Sequence, residues 1–181
     1  MADFTQAYQR TMGAEGGYAN NPNDPGGETF MGIARNYNPD WSGWATIDAI
    51  KNTDPANLDE ALDADADLLQ EIMAFYETNY WDVNETGLIN DQQTADQVFD
   101  TAVNCGTGTA AKFLQEAAGV NVDEQVGPIT IGAVNSANAE DLYNQFIAYR
   151  KQYYLDIISS KPSMAEFENS WLSRLWPYET A

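Results

Sequence analysis

The spacing of apolar residues along the chain predicts a protein built mainly of α-helices. Residues 3–14 place their less polar side chains at intervals of three and four, as one face of an amphipathic helix requires. Asp3 is predicted to be the N-cap of this helix or an acid in its first turn, and the helix should end near Glu15 because two glycines follow. The same periodicity predicts helices over residues 57–80, 92–104, 109–118 and 139–159, and Pro128 and Pro162 favour the starts of two more.

Residues 16–40 interrupt this helical pattern. The segment is rich in glycine, proline, asparagine and aspartate, which favour turns over helices. Short strands are predicted between Tyr18 and Ile33, and little β-structure elsewhere. The expected fold class is therefore mainly α, with one small irregular or β-hairpin segment near the N-terminus.

The composition narrows the possible chemistry. The chain has no histidine, which excludes Ser-His-Asp and Cys-His catalysis and every His-ligated metal site. Its single cysteine, Cys105, cannot form an internal disulfide. Any catalysis must therefore be carried out by carboxylates, hydroxyls or backbone groups. We expect neither a metal nor another cofactor.

The charge balance excludes further classes of protein. With 28 acidic and 8 basic residues the net charge is −20, the opposite of a protein that tracks nucleic-acid phosphates. No run of 18 apolar residues predicts a membrane-spanning helix, so membrane insertion is not expected. The first residues, Met1 to Phe4, lack the basic and apolar regions of a signal peptide. We expect a monomer made in the cytoplasm.

Two carboxylates and a hydroxyl are grouped around the irregular segment. Glu15 ends the first predicted helix, Asp24 follows nine residues later, and Thr29 five residues after that. A glycine-rich hairpin can fold the second carboxylate and the hydroxyl back toward the first. Glycoside hydrolysis needs such a set, because one acid protonates the leaving oxygen while a second group activates water or stabilises positive charge. Solvated or capping carboxylates are the alternative, since acidic pairs are common in a chain with 28 acidic residues and Asp24-Pro25-Gly26-Gly27 is equally a good turn sequence.

The same stretch resembles glycoside hydrolase family 108. The resemblance rests on Glu-Gly-Gly-Tyr at residues 15–18, Asn-x-x-Asp-Pro-Gly-Gly-Glu-Thr at 21–29 and Gly-Ile at 32–33. It implies that Glu15 is the catalytic residue of a peptidoglycan-cleaving lysozyme, an N-acetylmuramidase. Residues 98–106, 110–115 and 126–130 look like the predicted peptidoglycan-binding region of that family. The resemblance implies a lysozyme-like fold of two lobes, with residues 1–90 as the catalytic lobe and 91–181 as the peptidoglycan-binding lobe, packed as one compact unit.

The spacing of the three site residues is also similar to the catalytic triad of phage-type lysozymes. That likeness implies Glu15 as general acid, with Asp24 and Thr29 positioning water or stabilising charge. Two short stretches depart from the family pattern. Phe30 and Met31 stand where a polar–aromatic pair is usual before Gly-Ile, and Asp123-Glu124-Gln125 replaces the usual Asp-Gly before Val-Gly-Pro.

Several residues are candidates for binding the sugar chain. Aromatic rings have broad apolar faces that can stack on pyranose rings, and they also pack in protein cores. The candidates of this kind are Tyr18, Trp41 and Trp44, with Trp81 a weaker one. Asn104 and Gln115 could bind N-acetyl groups, although helix capping and a surface role are the alternatives. Glycan strands of peptidoglycan are thus the expected partner.

Two other functions remain open from the sequence. A lytic transglycosylase would use Glu15 alone and release a 1,6-anhydro product. A catalytically inactive wall-binding or virion structural protein would keep the fold without the reaction. Acting on the wall, the protein would be a phage endolysin, a virion-associated lysozyme with a virion partner, or a bacterial lysin exported without a signal peptide through a secretion partner.

Overall fold

The computed structural model describes residues 1–13, 17–21 and 24–180. Its internal contacts divide the chain into two compact units. Unit 1 comprises Met1–Thr11 and Asn79–Ala181, and unit 2 comprises Met12–Thr78. The mainly α fold with a small sheet near the N-terminus is confirmed. The predicted division into functional lobes between residues 90 and 91 stays a prediction.

Unit 2 contains a small antiparallel sheet and three helices. In chain order its elements are β1 (Tyr18–Asn20), β2 (Glu28–Phe30), β3 (Ile33–Ala34), α2 (Gly43–Lys51), α3 (Leu58–Asp63) and α4 (Ala66–Tyr76). Strand β2 lies in the middle, paired with β1 and with β3. Its residue Phe30 is fully buried, and so are Ile47 of α2 and Ile72 of α4, which indicates that the sheet and helices share one apolar core.

The connection between β2 and β3 is a two-residue turn. Phe30 pairs with Ile33, and both residues between them have positive φ, 47° at Met31 and 78° at Gly32. Positive φ at both central positions is the mark of a type I′ hairpin turn. The hydroxyl of Tyr76 donates a hydrogen bond to the carbonyl of Met31 at 2.8 Å, which ties the turn to α4.

The predicted single helix over residues 57–80 is wrong. The structure has two helices here, α3 and α4, because Asp65 begins a new one. Asp65 has an extended backbone, and its side chain accepts a hydrogen bond from the backbone N–H of Leu68 at 2.8 Å. That is the geometry of an N-cap, so Asp65 starts a helix in the middle of the segment predicted to be one continuous helix. After Tyr76 the helix widens into a π-helical turn, Glu77–Trp81. Helix α2 was not predicted.

Unit 1 is helical throughout its regular elements. They are α1 (Phe4–Met12, of which residues up to Thr11 belong to this unit), α5 (Gln92–Cys105), α6 (Thr107–Ala118), α7 (Pro128–Ser136), α8 (Ala139–Ser160) and α9 (Glu168–Ser173). Short turns of 3-10 helix precede α5 and α9. The predicted cap is confirmed, since the carboxylate of Asp3 accepts a hydrogen bond from the N–H of Gln6 at 3.1 Å. None of the helices in the described ranges is both long and apolar enough to cross a membrane.

Helix α5 is the centre of unit 1 and carries a buried ion pair. Asp100 and Arg150 of α8 are both fully buried and lie 2.5 Å apart between Oδ1 and Nη2. The guanidinium also donates to Gln97 Oε1 and to the hydroxyl of Tyr154. The other oxygen of Asp100 accepts from Arg174 at 2.6 Å, so the network joins α5, α8 and the C-terminal segment. A buried charge without such partners would be strongly destabilising.

Candidate active site

The predicted general acid, Glu15, lies outside the described residues. The other predicted site residues of unit 2 can be located: Asp24 between β1 and β2, Thr29 on β2, Tyr18 on β1, and Trp41 and Trp44 around the start of α2. The β-hairpin therefore carries the second carboxylate in its loop and the hydroxyl on its second strand.

Asp24 forms a tight turn at the loop of the hairpin. Its side chain is exposed, and Oδ1 accepts a hydrogen bond from the N–H of Gly26 at 2.8 Å. Its backbone carbonyl accepts from the N–H of Gly27 at 2.9 Å. An aspartate that bonds the backbone two residues ahead fixes its own position, so the carboxylate is held in one place while still reaching solvent.

Thr29 lies on the middle strand of the sheet. It pairs with Ala19 of β1 and with Ala34 of β3, and its hydroxyl donates to the carbonyl of Gly27 at 3.3 Å. The side chains of Asp24 and Thr29 thus bond the backbones of two neighbouring residues, the N–H of Gly26 and the carbonyl of Gly27. The two groups that sequence reasoning assigned to water or charge are held by the same short glycine segment.

A cluster of four charged side chains and one tyrosine hydroxyl, not foreseen from the sequence, supports the hairpin. Glu28 accepts hydrogen bonds from the Tyr18 hydroxyl at 2.7 Å, from Lys51 Nζ at 2.5 Å and from Arg35 Nη1 at 2.6 Å. Arg35 also makes a two-pronged contact with Asp48, at 2.9 and 2.5 Å. We call these five residues the Glu28 cluster. The opposite charges at positions 48 and 51, three residues apart on α2, were the signal that could have indicated it.

The Glu28 cluster fixes the protonation state of its central carboxylate. Burial by itself raises the pKa of Glu28, but the hydrogen bonds from Lys51, Arg35 and Tyr18 outweigh it and lower the pKa. The pKa of Asp48 is lowered chiefly by its hydrogen bonds from Arg35. Glu28 is thus an ionised anchor that holds β1, β2 and α2 together, and it cannot serve as a proton donor near neutral pH.

The predicted aromatic candidates differ in exposure. Trp44 is only 2% exposed, and its indole N–H donates to the carbonyl of Asn38 at 2.8 Å. So covered a ring packs in the core of unit 2, and sugar binding by Trp44 stays a prediction. Trp41 is half-buried and meets Trp44 edge-on at 5.2 Å between ring centroids. Tyr18 is half-buried, with its hydroxyl bound to Glu28. For Trp41 and Tyr18, sugar binding stays a prediction.

The candidates in unit 1 are held by contacts within that unit. The amide of Asn104, exposed on the last turn of α5, donates to the carbonyl of Asp100 at 2.7 Å. Its sugar-binding role stays a prediction. Gln115 is 1% exposed and bonds the loop that follows α6, so neither a surface role nor a free amide is supported. Trp81 is 4% exposed and packs against Phe4 and Phe99 in the core. Among the described residues, no group of three or more acidic or cysteine side chains is placed to hold a metal.

Comparison with known proteins identifies the family of the chain. The family model of glycosyl hydrolase 108 matches residues 8–106, and that of a predicted peptidoglycan domain matches residues 109–176. A solved structure described as that of Brucella abortus SagA is 24% identical, with a TM-score of 0.64, and the match covers 95% of this chain and 88% of that one. At that identity the likeness shows the fold alone. No curated protein sequence matches significantly.

The first of these family models spans more than half of the chain and includes the whole hairpin segment. The second spans most of α6 to α9 in unit 1. The chain therefore belongs to the glycosyl hydrolase 108 family and is a glycoside hydrolase that acts on peptidoglycan.

Proposed function

We propose that the protein is an N-acetylmuramidase that cleaves the β-1,4 bond between N-acetylmuramic acid and N-acetylglucosamine. Glu15 is the general acid that protonates the leaving oxygen. Asp24 and Thr29 orient the attacking water or stabilise the positive charge that develops on the sugar ring. The observation that carries the proposal is the family match over residues 8–106, which includes all three residues.

The surroundings of Asp24 and Glu28, the other carboxylates of the family motif, support Glu15 as the general acid. A general acid must hold a proton near the working pH. Glu28 does not meet this condition, because three donors lower its pKa and occupy its oxygens. Asp24 is exposed and its side chain is held by a hydrogen bond from a peptide N–H, which suits a group that faces a cationic transition state. With Glu28 and Asp24 assigned to other roles, Glu15 is the remaining carboxyl group of the motif that can donate a proton.

Digestion of purified peptidoglycan tests the role of Glu15. We expect the wild type to release hydrated disaccharide-peptides, identified by mass spectrometry, and Glu15→Gln to lose this activity by at least about 100-fold, as removal of a general acid typically does. Glu166→Gln is the matched control, because Glu166 is exposed on the turn before α9. Equal activity of Glu15→Gln and Glu166→Gln would overturn the assignment.

The products distinguish hydrolysis from the other reaction at this bond. A muramidase adds water, whereas a transglycosylase forms a 1,6-anhydro ring and releases products one water lighter. We expect hydrated products and a strong loss of rate in Asp24→Asn. Anhydro products with an active Asp24→Asn variant would identify a transglycosylase, and peptidoglycan binding without products would identify a wall-binding protein.

We further propose that the protein works at the cell wall after release as a phage endolysin, as part of a virion, or by non-classical export. The substrate supports this proposed location, since peptidoglycan lies outside the cytoplasm. Immunodetection in purified virions, cell lysates and culture medium separates the three routes. Retention in the cytoplasm of intact cells under all conditions would contradict them.

A further inference from the structure

Unit 1 contains a cavity of about 400 Å³ between the loop that follows α6 and the first turn of α7. That volume lies within the range of small-molecule sites in proteins. One wall is aliphatic and includes Val120, Val126 and Ile129. Ile129 is 82% exposed at the first turn of α7, so its side chain is accessible to a ligand at the rim of the cavity.

The polar wall of the cavity is built on a buried glutamine. Gln115 Nε2 donates to Asp123 Oδ1 at 2.7 Å and to the carbonyl of Gln125 at 3.1 Å. Its Oε1 accepts from the backbone N–H groups of Asp123 and Glu124, at 3.1 and 2.9 Å. These bonds fix the loop before any ligand arrives, and a preformed wall lowers the entropy lost on binding.

The charge of the cavity selects its ligand. Its lining includes one carboxylate, Asp123, and neither a cation nor an aromatic ring. Hydrogen bonds from Gln115 and from the N–H of Gln125 lower the pKa of Asp123, so it is ionised at neutral pH. A site without an aromatic face is poorly suited to stack a sugar ring. Aliphatic walls, amides and a carboxylate suit a short peptide with small apolar side chains and an ammonium group.

We propose that this cavity binds the stem peptide of peptidoglycan, with aliphatic contacts to its alanines and with Asp123 facing the side-chain ammonium of its diamino acid. The proposal rests on peptidoglycan being the substrate, and it assigns the peptide part of that polymer to unit 1. Binding of the peptide would hold the enzyme on the wall independently of bond cleavage.

A titration followed by NMR tests the proposal on the full-length wild type. The probe is the free tetrapeptide L-Ala–γ-D-Glu–L-Lys–D-Ala, which contains no glycosidic bond, so the outcome does not depend on catalysis by Glu15. We expect the amide signals of residues 119–130 to shift, and the same peptide acetylated on its lysine amine to bind about tenfold more weakly.

Variants at the rim of the cavity give the second readout. Ile129→Lys introduces a cation at an exposed position and should weaken binding by about tenfold, whereas Ile129→Glu should weaken it less. Val83→Lys is the control, because Val83 is 53% exposed and does not line the cavity. The absence of shifts at residues 119–130, equal binding of the acetylated peptide, or shifts there with an N-acetylglucosamine oligomer instead would each overturn the proposal.

Discussion

Met31 occupies a backbone conformation that its side chain disfavours. Its φ of 47° lies in the left-handed region, which costs most L-residues roughly 1–2 kcal/mol and which asparagine tolerates better. The two-residue turn between β2 and β3 imposes this conformation. Asparagine followed by glycine is the preferred sequence for such a turn, and the chain already has Gly32 at the second position. Met31 therefore weakens the hairpin relative to an asparagine at the same position.

We predict that Met31→Asn raises the free energy of unfolding by roughly 0.5–1 kcal/mol, because it relieves part of this backbone cost. Met31→Val is the matched control, since it also removes the thioether but adds a β-branch that resists positive φ. Chemical denaturation of the three proteins measures the differences. If the asparagine variant were no more stable than the valine variant, the strain at residue 31 would be refuted.

The Glu28 cluster predicts a pH-dependent contribution to stability. Since the pKa of Glu28 is lowered in the folded protein, its contribution is fully present above the unfolded pKa of about 4.3 and is lost as the pH falls through the folded value. Glu28→Gln should therefore destabilise the protein by about 1–3 kcal/mol at pH 7, the range for hydrogen bonds to charged groups.

The measurement for Glu28→Gln is thermal unfolding of wild type and variant from pH 7 down to pH 3. We expect the difference in Tm to shrink below about pH 4.3, because the unfolded chain takes up a proton there that the folded Glu28 carboxylate binds only at lower pH. Glu77→Gln, an exposed position in the same unit, should have little effect at any pH. A Glu28→Gln deficit that stayed constant over this range would show that shape, not charge, holds the cluster.

Among the elements, α3 and α4 illustrate how one polar residue divides a helix. Each begins at a residue whose side chain accepts a backbone hydrogen bond three positions ahead, Asn57 for α3 and Asp65 for α4. The apolar residues Leu62 and Leu68 on either side of the break are both fully buried. The break thus turns both helices toward the core of unit 2 without exposing apolar surface.

We predict that Asp65→Ala lowers the free energy of unfolding by about 1 kcal/mol, the usual effect of losing an aspartate N-cap. Asp67→Ala is the matched control, because it removes the same charge from the first turn of α4 without removing the cap. Denaturant titration of both variants gives the comparison. Equal losses in the two variants would show that charge near the helix start, rather than the cap, accounts for the effect.

At the scale of the whole molecule, the ion pairs leave a large excess of negative charge. Five of the 8 basic residues, Arg10, Arg35, Lys51, Arg150 and Arg174, form salt bridges with carboxylates of the described structure. The net charge of −20 consequently lies mainly on the other acidic side chains. Repulsion among like charges destabilises a compact folded state. Salt screens this repulsion, because the Debye length falls to about 10 Å at 0.1 M salt.

We predict that sodium chloride raises the Tm of the protein by several degrees between about 0.01 and 0.5 M at pH 7, because screening weakens this repulsion. Near pH 4.1, the isoelectric point of the sequence, the net charge vanishes and the gain should disappear. Differential scanning calorimetry at both pH values measures how the Tm depends on salt concentration. A Tm independent of salt at pH 7 would show that the repulsion does not limit stability.

The sequence by itself determined the fold class, the family and most of the helices. Regular spacing predicts a helix when one face is buried, as in α1 and α8, because that spacing reflects a local period. The position of the hairpin also followed from local chemistry, since glycine and proline restrict the backbone wherever they occur. The motif around Glu15 and Asp24 indicated the reaction because its residues lie close in sequence.

Only the tertiary structure decided which polar side chains hold the elements together and which aromatic rings lie in the core. Glu28 meets Lys51, 23 residues away, and Arg150 meets Asp100, 50 residues away, and no local pattern specifies such pairs. Trp44 and Trp41 are three positions apart in sequence, yet one is buried and the other half-exposed. Burial depends on what the rest of the chain packs against a residue, and that information is distributed over the whole fold.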